Sequence, residues 1–122
     1  MPGGALSFNH PNGLASNGTN LLMFDRFNNR VLIWNTAPTS WSRLPALVLG
    51  QANFTNNDPG TGKNNLNWPG NVSIRANGTF AVTDTENDRI LIWSTFPTAN
   101  GQAADREIHL PTNYPNGRPH RC

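Results

Sequence analysis

One internal repeat constrains this chain more than any other feature. Asn28-Asn29-Arg30-Val31-Leu32-Ile33-Trp34-Asn35 returns as Asn87-Asp88-Arg89-Ile90-Leu91-Ile92-Trp93-Ser94, 59 positions later (28 to 87). The match extends outward at the same or nearly the same offset. Asp25 answers Asp84, Pro38 answers Pro97, and Asn17-Gly18-Thr19 answers Asn77-Gly78-Thr79. Upstream, Pro11-Asn12-Gly13-Leu14 faces Pro69-Gly70-Asn71-Val72; downstream, Ala46-Leu47-Val48-Leu49-Gly50-Gln51 faces the poorer Asp105-Arg106-Glu107-Ile108-His109-Leu110. Self-similarity at a fixed period means one supersecondary unit used twice, each copy burying its apolar face against the next.

Each copy reads as short strands separated by turn chemistry. In the second, strands are expected at Asn71 to Arg75, Thr79 to Thr83 and Arg89 to Trp93. Asn77-Gly78 closes a hairpin, Asp84 to Asp88 is a polar loop, and a fourth strand near Glu107 to Leu110 is expected short or missing. The first copy places strands at Leu14-Ala15, Leu21 to Phe24, Arg30 to Trp34 and Ala46 to Leu49. Eleven Gly and ten Pro beside 36% hydrophobic residues suit a turn-rich all-β chain, and 13% charged residues are too few for a solvated, disordered one. Val31-Leu32-Ile33-Trp34 does not alternate, so both faces of that strand need cover. Stacked four-stranded antiparallel sheets, as in the blades of a β-propeller, supply it. A two-sheet sandwich is the alternative architecture, and it does not usually carry so clear a repeat.

These residues resemble the NHL-repeat family of β-propellers, whose blades run Pro-x-x-Val, a Gly turn, an apolar strand ending in Asp, then Asn-x-Arg-(Val/Ile) and another apolar strand. The second copy supplies Pro69, Val72, Gly78, Val82, Asp84, Asn87, Arg89 and Ile90; the first supplies Pro11, Gly18, Asp25, Asn28, Arg30 and Val31. Gly50-Gln51-Ala52-Asn53-Phe54 looks like the Gly-Gln-x-(Asp/Asn)-Phe segment of long-period bacterial members. The second copy departs from that pattern at His109-Leu110-Pro111-Thr112-Asn113. The resemblance implies one domain over 1–122, with a first blade over 6–55, a polar connector over 56–65, a second blade over 66–110 and a tail over 111–122.

The motif residues also have a reading of their own. Asp25 and Arg30, like Asp84 and Arg89, lie five positions apart across a loop, close enough for a charge-assisted bond that fixes it. Repetition in both copies marks Asp25, Asn28, Arg30, Trp34, Asp84, Asn87, Arg89 and Trp93 as scaffold rather than as a catalytic set, with the two tryptophans packing between blades. No nucleophile elbow, phosphate-cradling loop or nucleotide fingerprint occurs, and Gly60-Thr61-Gly62-Lys63 reads as a flexible connector. His10, His109 and His120 are scattered and only Cys122 could join them, so no metal, cofactor or disulfide is expected. Four Asn-x-Ser/Thr sequons read as turn chemistry in an Asn-rich chain.

The function expected from these features is non-catalytic: a module for ligand or protein binding, or for assembly. The chain itself is expected as a partner, because two blades fall short of the roughly four to eight of a closed propeller, so that two or three copies would complete one. A protein or peptide ligand is a further expectation. The resemblance also implies an alternative, a metal-dependent lyase or hydrolase whose site would form at the axis of an oligomer from copies of Asp25, Asp84 or His10. The net charge of +2, with no basic stripe, argues against nucleic acid. No membrane span or signal peptide is expected, which gives a cytoplasmic setting by default.

Overall fold

The computed structural model of this protein describes residues 7–40 and 42–109. Leu6, Leu110, the 111–122 tail, His120 and Cys122 lie outside them. The described chain is all-β, built as two four-stranded antiparallel sheets in simple sequential order. The first holds β1 (Pro11–Ser16), β2 (Leu21–Asp25), β3 (Arg30–Trp34) and β4 (Leu47–Leu49). The second holds β5 (Pro69–Ile74), β6 (Phe80–Asp84), β7 (Arg89–Trp93) and β8 (Arg106–His109).

The turn residues explain the hairpins. Asn17 Oδ1 accepts the backbone N–H groups of Thr19 and Asn20, and Asn77 Oδ1 accepts that of Thr79. These side chains mimic a backbone turn, and Gly18 and Gly78 beside them take φ of 95° and 94°. The opening prolines, Pro11 and Pro69, have no N–H to contribute to a ladder and stand at the first position of their strands, followed by a bulge in each sheet. Asp25 and Asp84 end β2 and β6. A single 3-10 turn follows, Arg26–Asn28 or Thr85–Asn87, and is closed by Asn29 or Asp88 in the left-handed region.

Opposed residues of an antiparallel pair project to one side, so the register sorts each sheet into two faces. On what we call the tryptophan face, the first sheet carries Leu14, Met23, Leu32 and Val48 in one row with Leu21 and Trp34 beside them; the second carries Val72, Val82, Leu91 and Glu107 with Phe80 and Trp93. The β-branched face holds Leu22, Phe24, Val31, Ile33, Leu47 and Leu49 in the first sheet, and Ala81, Thr83, Ile90, Ile92, Arg106 and Ile108 in the second. The main core joins unlike faces. Leu22, Phe24, Val31, Ile33 and Leu49 pack in one cluster with Val72, Phe80, Val82, Leu91 and Trp93, sealed by Leu66 and Ala104. The β-branched face of the first sheet therefore sits on the tryptophan face of the second. Each such large apolar side chain removed from water contributes about 1.5–3 kcal/mol. A smaller cluster, Leu32, Trp34 and Val48 with Leu21, Met23 and Phe54, lies on the first sheet's other face.

Polar ties cross the same joint. The Trp68 N–H donates to Asn29 Oδ1 at 2.8 Å, and the Gly101 N–H to the Val48 carbonyl of β4 at 2.8 Å. Gln51 Nε2 donates to the carbonyls of Asn29 and Asp58, which gives the Gly-Gln segment a physical role. Gly50 has φ of 91°, and a Cβ there would stand 2.7 Å from the Asn29 carbonyl.

Several details differ from the sequence expectation. Strand β1 runs six residues where Leu14-Ala15 alone was expected, because its first half is the polar Asn12, bulged between Pro11 and the small Gly13, which hydropathy does not reveal. The doubtful fourth strand, β8, is present with four residues against three for β4, since backbone pairing to β7 requires no apolar side chain. Asp84 to Asp88 is one 3-10 turn rather than plain loop. All five residues of β3 are buried, as the unbroken run predicts, whereas Ile90 in β7 is exposed because no element of the described chain covers that face.

Candidate functional site

The residues singled out from the sequence assemble into two copies of one polar cluster. Asp25 is fully buried, and its Oδ1 accepts the Asn9 N–H at 2.6 Å while Oδ2 accepts Asn28 Nδ2 and Arg30 Nε at 2.9 and 2.8 Å. Asp84 repeats this with the Asn67 N–H, Asn87 Nδ2 and Arg89 Nε at 2.7, 2.8 and 2.7 Å. The two arginines then fork outward to main-chain carbonyls. Arg30 reaches Phe54 and Ser7; Arg89 reaches Thr61, Gly62 and Asn65, and also Glu107 Oε2 at 3.0 Å. Planar guanidinium groups suit such divided donation better than an ammonium would.

Each cluster thus ties the chain approaching the first strand of its sheet to the 3-10 turn and to a point further along, the Phe54 loop in the first copy and Glu107 of β8 in the second. Their chemistry points inward. Both carboxylates are removed from solvent and carry three hydrogen bonds each, an arrangement that holds a chain and offers no free base or nucleophile. The 56–65 connector, whose Gly60 to Lys63 stretch was expected to be flexible, is held by Arg89 through three of its carbonyls and by Asn87 through the Gly60 carbonyl. The arginine thus satisfies three main-chain acceptors of a segment that is itself largely exposed.

The tryptophans also take equivalent bonds, Trp34 Nε1 to the Arg43 carbonyl and Trp93 Nε1 to the Gln102 carbonyl, 3.0 and 3.1 Å. Their packing differs. Trp93 stacks on Phe80 at 4.9 Å inside the joint between sheets, whereas Trp34 lies in the smaller cluster away from it.

Sequence reasoning missed an aromatic row at the end of the molecule where β1 and β5 begin. Phe27 lies between His10 and Trp68, with ring centroids 4.3 and 4.7 Å away, and the Arg26 guanidinium sits 5.5 Å from the Trp68 ring centroid. The Arg26 Nε is buried without a hydrogen-bond partner among the described residues, and its guanidinium lies within cation–π distance of both the Phe27 and Trp68 rings. His10 and Trp68 adopt φ of 57° and 55°, a conformation bulky residues avoid. The signal was present as an aromatic residue before each strand-opening proline, His10-Pro11 and Trp68-Pro69. His10, weighed as a metal ligand, is a stacking partner here. Among the described residues no group of three His, Cys, Asp or Glu side chains could hold a metal ion, and no helix is long and apolar enough to cross a membrane.

No protein-family model matches the chain, and a search of curated proteins finds no match either.

Proposed function

We propose that this chain is a non-catalytic repeat module of NHL type, in which two propeller-like blades work by binding and by assembly with further copies of themselves. The observation that carries the reading is the direction of the motif chemistry. Asp25, Asn28 and Arg30, and equally Asp84, Asn87 and Arg89, bond the chain to itself, which leaves sheet faces and loops as the surfaces available to partners. The pattern Asp-x-x-Asn-x-Arg-(Val/Ile) in both copies supports the family reading, and the stacking of unlike faces supports a propeller-like arrangement. The loop end bearing Trp68, Phe27, His10 and Arg26 is the surface suited to a protein or peptide ligand, because aromatic rings and arginine dominate binding hot spots. Light scattering coupled to size-exclusion chromatography tests the assembly. A particle of two or more chains at micromolar concentration is the expected result, and a folded, non-aggregating monomer refutes it.

A further inference from the structure

Repeat-equivalent residues differ sharply in exposure, and the differences follow one pattern. Phe8 is 42% exposed while its counterpart Leu66 is fully buried; Leu14 is 66% exposed while Val72 is 7%. Ile90 and Ile108 are 38% and 55% exposed, while their counterparts Val31 and Leu49 are fully buried. All four buried counterparts belong to the single cluster that joins the two sheets. Leu14 lies on the tryptophan face of the first sheet, as Val72 does on that of the second, and Phe8 and Leu66 precede those strands at the same spacing. Ile90 and Ile108 lie on the β-branched face of the second sheet. The chain therefore uses one tryptophan face and one β-branched face to make its internal joint, and leaves to solvent the second sheet's β-branched face and the β1 side of the first sheet's tryptophan face, where Leu14 stands; Leu32, Trp34 and Val48 of that face are already covered in the smaller cluster.

From this we infer that the partner of the first sheet's tryptophan face is the second sheet's β-branched face in another copy of this chain, so that copies join head to tail. The inference rests on the self-assembly reading above and gives it a polarity. The internal joint shows that the two face types fit each other. In it β1 and β2 lie against β5, so between copies β5 and β6 would lie against β1. An open groove of about 580 Å³ lined by Pro11, Asn12, Gly13, Leu14 and Met23 lies at that strand. Against it come Asn71, Ser73, Ala81 and Thr83, smaller or more polar than the Leu22 and Phe24 pair of the internal joint, while Ile90, Ile92 and Ile108 supply the apolar stripe. The joint between copies is thus weaker than the one within a copy. A pairing of unlike patches is heterologous: it closes into a ring or runs on as a filament, and it cannot be a two-fold dimer with like faces in contact.

Two single variants and their mixture test the polarity. Leu14→Glu disables the tryptophan face and Ile108→Glu the β-branched face; both positions are exposed, and far-UV circular dichroism should match the parent chain. Each variant alone should associate roughly 100-fold or more weakly, as loss of a buried interface anchor implies. Mixed in equal amounts they should form a 1:1 heterodimer and nothing larger, because each copy then retains the face its partner lacks. Should either variant fail to fold, Phe8→Glu and Ile90→Glu replace the pair. If the parent chain assembles but the mixture gives no heterodimer, or only one of the two variants dissociates, the head-to-tail joint is wrong while assembly stands. A monomeric parent chain would overturn both.

Discussion

Replacing Arg89 by Ala puts a number on the polar cluster. The side chain is 5% exposed and gives up five hydrogen bonds in the variant: to Asp84 Oδ2 (2.7 Å), Thr61 O (2.7 Å), Glu107 Oε2 (3.0 Å), Gly62 O (2.8 Å) and Asn65 O (3.2 Å). The Asp84 carboxylate stays buried with only the Asn67 N–H and the Asn87 amide to support it. Breaking a buried pair from one side costs about 3–5 kcal/mol, most of it the penalty of the charge left behind. For a chain of this size each kcal/mol lowers the melting midpoint by roughly 3–5 °C, so the expected fall is about 10–25 °C. Thermal and urea melts followed by far-UV circular dichroism measure it, with the solvent-exposed Arg43→Ala as a control expected within about 2 °C. Arg89→Lys should recover less than half of the loss, because an ammonium cannot reproduce the fork to separate carbonyls. A shift no larger than that of Arg43→Ala would refute the scaffold argument. Unchanged stability with loss of an identified ligand would make the cluster a binding site instead.

Gly50→Ala should destabilise by at least about 2 kcal/mol more than Gly18→Ala, since both have positive φ but only at Gly50 does a Cβ strike backbone, with open space at Gly18; equal urea midpoints would contradict this. Trp93→Phe, which loses the bond to the Gln102 carbonyl and part of the stack on Phe80, should cost about 1–2 kcal/mol by the same melts, and no measurable loss would mean that the indole N–H is as well satisfied by water. Dialysis against a chelator should leave the melting midpoint within about 1 °C; a fall of many degrees would reveal a structural metal that the described residues do not hold.

The strands were legible because their apolar runs and turn residues are local. Val31 to Trp34 and Ile90 to Trp93 carried the period, and Asn17-Gly18 and Asn77-Gly78 carried the turns. The spacing of Asp25 to Arg30 and Asp84 to Arg89 was also enough to place an ion pair in each copy. What could not be read depends on residues distant in sequence. Nothing local says that Gly60 to Asn65 would lie against Arg89, or that His10 would meet Phe27, since both contacts need a sheet to have paired; the contact of Phe27 with Trp68 further needs the two sheets to have stacked. The strength of β8 was underestimated for a related reason, because Glu107 replaces an apolar residue and is stabilised there by Arg89 of the neighbouring strand.

The loop joining β7 to β8 reaches back to the first sheet. Gly101 donates to the Val48 carbonyl, and Asn100 Oδ1 accepts the Val48 N–H at 3.1 Å, so the last part of the second repeat occupies the outer edge of β4. A bare strand edge is a template for unwanted pairing. Here that edge is shielded only once the distal loop of the second repeat is in place. The two repeats should therefore melt in one cooperative transition, seen as a single calorimetric peak, instead of fraying in succession as loosely coupled units of a linear array do. For the same reason, severing the chain within the connector would yield two fragments that aggregate, not two that fold.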